Sequence, residues 1–326
     1  MMSNKQSTLK WSLFLFVLSL SLFSLNSCQP KSDKKFTIGF IDIVEDETLE
    51  LARKGFFKAL SDSGFINEKN IQVIYRNAQS DIPALVQSID YMIAQSADVI
   101  ATNTTLCTIS AVQKTSTIPV CMMVSPSPEI AGLLKKDGTA PSNLFGVYET
   151  LEYIDTALTL IPEIFPNAKI IGTIINQSEP QSVDALNRIS EVASKLGLEI
   201  IVLPANNSAE TQLVTESLLN KHIDVFFALP DNTIFASFET IAAACSKANV
   251  PIVTSESGLV ARGALVAFGA DMFVWGYDSG LECVKFLKSG VIPKPVKLAR
   301  RTKVYNPQVA AEYNFKPDSS FAIISK

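Results

Sequence analysis

The feature that most constrains this chain is a stretch that occurs twice. Residues 37–65 and residues 169–198 each begin with a short apolar run, turn through polar residues and continue in a helical pattern. The helical patterns end at Gly64 and Gly197, and glycine is a common signal for a helix C-terminus. Both copies continue through a second strand, a second helix and a third strand. Two strand–helix repeats in tandem predict two similar lobes, with function located in the cleft between them.

The first 27 residues have the pattern of a secretory signal peptide. Lys5 and Lys10 precede a long apolar run, and Cys28 follows directly after Leu-Asn-Ser. This ending resembles a bacterial lipobox, in which the cysteine is lipidated and becomes the mature N-terminus. The expectation is therefore an extracytoplasmic protein anchored to the membrane at Cys28 through a polar linker at 28–35. The alternative is an uncleaved N-terminal anchor.

Composition narrows the class of protein. The 326 residues carry a formal charge of −4 and are 47% hydrophobic, which suits one or two α/β domains. The absence of a basic stripe argues against nucleic-acid binding, and the pair Arg300 and Arg301 is interpreted as solvated surface charge. The other four cysteines show no metal-site spacing, so neither a metal nor a cofactor is predicted. Cys107, Cys121 and Cys245 are expected to be small buried residues, and a disulfide remains an alternative outside the cytoplasm.

Short β-branched runs alternate with helical patterns along the rest of the chain. This alternation predicts an α/β fold in which each of two Rossmann-like lobes has a parallel sheet flanked by helices. The predicted strands are 36–42, 70–76, 98–103, 119–124, 144–148, 169–176, 199–204, 224–229, 251–255 and 264–269. The predicted helices are 49–61, 82–95, 108–115, 183–196, 209–219, 235–248 and 273–288.

The lobes are expected to exchange chain segments through a hinge of several strands. Crossovers are predicted at residues 147–153 and 269–271, because the last long helix has no partner strand of its own after the second repeat. The N-terminal lobe is then 36–147 plus 271–290, and the C-terminal lobe is 148–270 plus 291–326.

Ligands of open parallel sheets bind beyond the carboxyl ends of the strands. The polar residues at those ends are the candidate ligand-binding residues, although hydroxyl, amide and carboxylate side chains before a helix are also expected as N-caps. They are Glu45, Asp46, Thr104, Thr105, Ser125, Ser127, Asn176, Glu179, Asp231, Asn232, Glu256 and Asp271. None is basic, which argues against a phosphate-like or dianionic ligand. Trp275 and Tyr277 can approach the cleft, and Phe145, Tyr148, Phe235 and Phe268 lie near strand ends, although core packing is the more common role of such aromatics.

The sequence argues against an enzyme. The turn after the first strand lacks the glycines of a phosphate-binding loop, and residues 254–258 lack the serine and leading glycine of a nucleophile elbow. The only histidine, His222, precedes a strand and therefore lies at the edge of the sheet opposite the cleft, so no catalytic residue is predicted.

Several short segments, in their order and spacing, resemble one known family. They are ARKGF at 52–56, IPV at 118–120, Ser-Pro at 127–128 with Ala-Gly at 131–132, NQSEP at 176–180, PDNT at 230–233 and the run 256–269. Over nearly all of the mature chain they resemble the substrate-binding proteins of ABC importers with the type I periplasmic binding protein fold. The tryptophan- and tyrosine-type amino acid binders are the most similar group.

The resemblance implies a monomeric receptor that performs no chemistry, closes on an amino acid by a hinge and delivers it to ABC permease and ATPase subunits. For an amino acid, Asp231 is the first candidate for the ammonium group and Glu256 the second, with Thr105 and Ser127 for the carboxylate. A sugar or nucleoside receptor of the same fold, an extracytoplasmic hydrolase or isomerase, and a sensor domain remain alternatives.

Overall fold

The computed structural model describes residues 35–324, in which strands and helices alternate. The predicted signal peptide at 1–27 and most of the predicted linker, including Cys28, lie outside the described residues. The first part of the chain forms β1 (Phe36–Asp42), α1 (Glu47–Asp62), β2 (Ile71–Asn77), α2 (Ile82–Ala94), β3 (Val99–Asn103), α3 (Thr105–Lys114), β4 (Val120–Met123) and β5 (Leu144–Tyr148).

The second repeat begins after a helix that was not among the predicted ones, α4 (Tyr153–Ile164). It continues through β6 (Ile170–Ile175), α5 (Pro180–Leu196), β7 (Glu199–Pro204), α6 (Thr211–Leu219), β8 (Val225–Ala228), α7 (Asn232–Ala236), α8 (Phe238–Lys247), β9 (Ile252–Glu256), α9 (Ser257–Val260) and β10 (Val266–Ala270). The last elements are α10 (Met272–Ser289), β11 (Val296–Lys297), β12 (Thr302–Tyr305), α11 (Pro307–Glu312) and β13 (Ala322–Ile323).

The strands form two sheets, each the centre of one lobe. The first has the order β11-β5-β4-β3-β1-β2 and the second the order β13-β12-β10-β9-β8-β6-β7. The pairing is parallel except between β10 and β12. Every residue of β3, β4 and β8 is buried, as expected when helices cover both faces of a parallel sheet. The predicted α/β class with two parallel-dominated sheets is confirmed.

Three segments of the chain pass between the lobes: the one after β5, the one between β10 and α10, and the one between β11 and β12. Strand β11 pairs with β5 in the first sheet, whereas the predicted division placed all of 291–326 with the second lobe. That part of the prediction is therefore wrong, because the backbone of Val296 and Lys297 bonds to the first sheet before the chain crosses back. The other predicted lobe boundaries stay predictions.

Helix α10 returns to the first lobe and packs closely on α1. A Cβ atom on Gly276 would lie 1.8 Å from the carbonyl oxygen of Ala52, and one on Gly55 would lie 2.1 Å from that of Phe273. Glycine is required at both positions because the two backbones approach so closely. This contact fixes α10 to the first lobe and places its N-terminal turn, with Met272 and Trp275, at the cleft.

Two predictions about individual side chains have different outcomes. Cys107, Cys121 and Cys245 are buried, as predicted; Cys283 is buried as well, and all four are free thiols, which the sequence left open. Arg301 is not a solvated surface charge, because its guanidinium lies 2.5 Å from the Oε2 atom of the fully buried Glu149. The sequence shows two adjacent arginines near the C-terminus but does not show that this segment crosses between the lobes.

Candidate ligand-binding cleft

The carboxyl ends of strands from both sheets face one narrow cavity between the lobes, with an open volume of about 20 Å³. Its walls come from the loop before α3, the segment after β4, the starts of α4, α5, α7 and α10, and the end of β9. The lining residues are Thr104, Thr105, Val124, Ser125, Pro126, Leu151, Tyr153, Gln181, Pro230, Asn232, Phe235, Glu256, Met272 and Trp275. Most of them are buried, so the lobes are closed around the cavity.

The first-lobe wall is built around the N-terminus of α3. Thr104 holds the N-cap position without a side-chain cap bond, and its φ of 99° is a strained conformation for a β-branched residue. The Oγ1 atoms of Thr104 and Thr105 are buried and make no hydrogen bond to any other described residue. A helix N-terminus with free N–H groups and two free hydroxyl groups is suited to hold a carboxylate.

The second-lobe wall presents the carboxyl group of Glu256, which is 1% exposed. Its Oε1 atom accepts hydrogen bonds from the hydroxyl groups of Tyr153, at 2.9 Å, and Ser255, at 3.2 Å. Its Oε2 atom is buried and has no partner within residues 35–324. Burial raises the pKa of Glu256 to about 8. An unsatisfied carboxyl oxygen in a closed cavity is suited to accept a hydrogen bond from a ligand amine.

Asp231 is also fully buried, but its two oxygens are already engaged. Oδ1 accepts from the backbone N–H groups of Thr233 and Ile234 at the start of α7. Oδ2 accepts from the Asn176 N–H at 2.8 Å and from the Ser182 hydroxyl at 2.6 Å. Asp231 does not line the cavity, and its contacts are those of a helix cap that ties α7 to α5 and β6.

Glu179 lies beside Asp231 and supports two residues of the cavity wall. Its Oε2 atom accepts from the Asn232 N–H and side-chain amide, each at 2.9 Å, and from the Gln181 amide at 2.5 Å. Burial raises the pKa of the Glu179 carboxyl well above its usual range, and the neighbouring Asp231 raises it further. The bond from the Gln181 side-chain N–H to Glu179 orients this amide. The Oε1 atom of Gln181 is also buried and makes no hydrogen bond inside the described part of the chain.

Large apolar side chains fill the rest of the wall. Phe235 and Trp275 are each 3% exposed, and Met272 is 2% exposed. The indole N–H of Trp275 donates to the Val147 carbonyl at 2.8 Å, so the ring is fixed against the first crossover. A mostly apolar cavity with a few directed polar groups is typical of sites for small organic ligands.

The structure brings five of the twelve predicted site residues to the cavity: Thr104, Thr105, Ser125, Asn232 and Glu256. The other seven lie elsewhere. Ser127, Asp271 and Asp46 accept backbone N–H groups in nearby turns and helix starts, while Asn176, Glu179 and Asp231 form the network behind α7. Glu45 is exposed beside Asp46 on an open groove at the edge of the cleft.

Sequence reasoning missed Tyr153 and Gln181 as cavity residues. Both stand at the starts of helices rather than directly after strands, and α4 itself was not predicted. The proline directly after Glu179 is a sequence signal for a helix start. It could have identified Gln181, the next residue, as part of the first turn of α5.

One arginine joins the lobes at the edge of the cleft. Arg262, in the second lobe, pairs with the carboxylate of Asp46 at the start of α1 and donates to the Thr48 hydroxyl at 3.0 Å. It also donates to the Phe235 carbonyl and to Glu239 in its own lobe. Its side chain is 5% exposed and that of Asp46 is fully buried. This Arg262 clasp therefore joins the lobes at the open groove beside the cavity.

Within residues 35–324, no group of three or more histidine, cysteine or acidic side chains is arranged to hold a metal ion. No helix in the same range is long and apolar enough to cross a membrane.

A family model described as ABC transporter substrate binding protein matches residues 37–314. This chain belongs to that family. Its members bind small solutes for ABC transporters, and the type I periplasmic binding protein fold expected from the sequence is confirmed.

One named protein is similar to this chain in sequence, and two solved structures are similar to it in fold. A tyrosine-binding protein from Clostridioides difficile (strain R20291) is 32% identical over 257 residues, which cover 79% of this chain and 74% of that protein. The structure of a conserved domain protein from Vibrio cholerae superposes with a TM-score of 0.83 at 24% identity, covering 90% of this chain and 100% of that one. The structure of an ABC domain in complex with L-Trp from Streptococcus pneumonia superposes with a TM-score of 0.81 at 22% identity, covering 89% and 100% of the two chains.

Proposed function

We propose that this substrate-binding protein is an extracytoplasmic lipoprotein receptor that binds an aromatic amino acid between its lobes and delivers it to an ABC importer. The observation that carries the proposal is the cavity itself. One wall has a carboxyl group with an unsatisfied oxygen, the facing wall has an uncapped helix N-terminus with two free hydroxyl groups, and aromatic rings lie between them. The 32% identity to a tyrosine-binding protein supports the choice of ligand class.

In this proposal Glu256 meets the ligand ammonium through Oε2. Asp231, the first candidate from the sequence, holds α7 in place, because both of its oxygens already accept hydrogen bonds. Thr104, Thr105 and the N-terminus of α3 meet the ligand carboxylate, with Ser125 beside them. Phe235, Trp275 and Met272 enclose the ligand side chain.

The remaining parts of the proposal concern the whole protein. Cys28 carries the lipid anchor, the receptor acts as a monomer, and it performs no chemistry of its own. The permease and ATPase subunits of the importer are its partners. A structural neighbour with the same fold, at 22% identity, is in complex with L-Trp, so this fold accommodates an aromatic amino acid in that protein.

A thermal-shift and calorimetry panel tests the ligand class directly. The purified protein is titrated with the twenty amino acids, with hexoses and pentoses, and with nucleosides. A ligand present at about 100 times its dissociation constant stabilises a protein by about 2.7 kcal/mol. We expect L-tyrosine or L-tryptophan to give the largest shift in melting temperature. Stabilisation by a sugar or nucleoside, with none by any amino acid, would overturn the proposal.

A further inference from the structure

Glu256 lies in surroundings that disfavour its charged form. The carboxyl group is at the end of β9, fully enclosed by the closed lobes, and two hydroxyl groups donate to its Oε1 atom. Its Oε2 atom faces no donor among the described residues. A buried carboxylate without a cationic partner is unfavourable, and such a group commonly stays protonated instead.

The charged and titratable groups around Glu256 do not supply that partner. Tyr153 approaches from α4 and donates its hydroxyl, which is neutral. Glu149, in the crossover after β5, adds a second buried acid, and its Oε1 atom is also without a partner within residues 35–324. Asp271, beyond the neighbouring strand β10, caps α10 through Val274. Strand β8 and helix α9, which also flank β9, contain no titratable residue.

The nearest guanidinium is already paired. Arg301 contacts Oε2 of Glu149 at 2.5 Å, and its charged end lies 4.9 Å from the centre of the Tyr153 ring. One arginine therefore faces two buried acids, and its charge is offset by Glu149. Burial and the nearby Glu149 both raise the pKa of Glu256, and only hydrogen bonds and the shared Arg301 lower it.

We propose that ligand uptake is coupled to proton release: Glu256 is protonated in the ligand-free protein and releases its proton to solvent when the ligand ammonium takes its place. This inference rests on the proposed function. The ammonium keeps its three protons and donates one hydrogen bond to Oε2, so one proton leaves the protein for each cationic amine that enters. The Glu256 carboxylate then has a cationic partner, which none of the described residues supplies. Tyr153 and Ser255 continue to donate hydrogen bonds to Oε1.

The coupling has a measurable pH dependence. While the closed lobes enclose an empty cavity, the pKa of Glu256 is about 8, and a bound ammonium lowers it. At a pH between the pKa of Glu256 without ligand and its lower pKa with ligand, binding requires removal of a proton. Affinity should therefore rise about tenfold for each unit of increasing pH in that range. A neutral solute that fits the cavity would leave Glu256 protonated and would show no such dependence.

Calorimetry in two buffers tests the proposal on the purified wild-type protein. L-tyrosine and L-tryptophan are titrated at pH 6.5 in phosphate and in imidazole, whose ionisation enthalpies differ widely. The difference in measured heat gives the number of protons released. We expect about one proton per ligand, and an affinity about tenfold higher at pH 7 than at pH 6. Binding without proton release would overturn the inference and leave the proposed function standing, whereas no binding of either ligand would overturn both.

Two variants assign the proton to its residue. Glu256→Gln keeps the size of the side chain and removes the titrating group. Proton release and the pH dependence of the affinity should both disappear, and the affinity at pH 7 should fall at least tenfold. Glu282→Gln is the matched control, because Glu282 is a buried acid on α10 that does not line the cavity. It should bind and release the proton as the wild type does. Retained proton release in Glu256→Gln would overturn the assignment.

Discussion

Glu256 and Asp231 are both buried acids at the ends of second-lobe strands, yet their oxygens have different contacts. Asp231 accepts four hydrogen bonds from its own lobe, three of them from backbone N–H groups. Glu256 accepts two, both on the same oxygen. A carboxylate that already accepts several bonds gains little from a ligand, whereas an unsatisfied buried oxygen gains a full hydrogen bond. This difference favours Glu256 over Asp231 in the proposed recognition of the ligand ammonium.

Glu256 should make the ligand-free protein less stable as pH rises. The folded protein holds this proton up to about pH 8, while the unfolded chain releases it near pH 4.5. The group's contribution to folding is therefore greatest below pH 4.5 and is lost as pH rises through 8, by up to about 5 kcal/mol. Thermal melts should show Glu256→Gln more stable than the wild type at pH 8, with the difference shrinking toward pH 5. Parallel curves for the two proteins would contradict this.

Cys28 is expected to carry the membrane anchor. The cysteine directly follows the apolar leader, and replacement by serine removes the thiol that would be lipidated. Cys28→Ser should therefore fail to incorporate a lipid probe and should no longer be retained in washed membranes as the mature form. Cys107→Ser is the control, since that buried thiol has no part in the anchor. Lipid labelling of Cys28→Ser equal to that of the wild type would refute the assignment.

Helix α3 is the element that meets the ligand carboxylate in the proposed function. Its first turn lacks a side-chain cap, and the strained φ of Thr104 directs the chain so that the helix N-terminus faces the cavity. An uncapped N-terminus is costly in a buried setting unless a ligand supplies the acceptor. Backbone strain at such a position is consistent with a role in binding rather than in folding.

Thr105→Val should weaken binding without changing the fold. Valine matches threonine in shape and removes one donor; a hydrogen bond to a charged group is worth roughly 1.5–3 kcal/mol, so the dissociation constant should rise about ten- to a hundredfold. Thr215→Val is the matched control, because its Oγ1 atom is also buried without a partner in the described chain but lies on α6, away from the cavity. Equal dissociation constants for Thr105→Val and the wild type would exclude this donor.

The elements themselves were largely predictable from the sequence. Each of the ten predicted strands overlaps a strand of the structure, because β-branched runs between glycine and polar turns are strong signals. The predicted helix 235–248 divides into α7 and α8 at Ser237, and α4 was missed. Of the twelve polar residues predicted at strand ends, five line the cavity. Which of them cap helices and which face a ligand depends on hydrogen bonds between distant segments, such as Asn176 to Asp231, that no local pattern encodes.

The lobes of the whole molecule are closed. The Arg262 clasp is a charged contact that joins the two lobes at the edge of the cleft. In an open arrangement both Arg262 and Asp46 would be hydrated, and closure would have to desolvate them together. Because Asp46 also caps α1 through Thr48 and Leu49, its charge is held in place for the arginine. The clasp therefore favours the closed state in addition to whatever the ligand contributes.

Removing the clasp should shift the protein toward the open state. Arg262→Met keeps much of the side-chain length and removes the cross-lobe bonds. Small-angle scattering should give a smaller radius of gyration with ligand than without it for the wild type, and the ligand-free variant should be at least as expanded, with binding weakened several-fold. Arg188→Met, which removes an ion pair within the second lobe, is the control. An unchanged radius of gyration on saturating the wild type would instead indicate a rigid protein.

In the proposed function the cleft holds an amino acid by its two charged ends, one on each lobe. A crystal structure of the protein grown with whichever of L-tyrosine and L-tryptophan binds more tightly tests this arrangement. We expect density inside the cavity, with the ammonium within hydrogen-bond distance of Glu256 Oε2 and the carboxylate at Thr105 and the start of α3. A ligand bound outside the cavity, or one whose ammonium contacts Asp231 while Glu256 Oε2 stays without a partner, would contradict it.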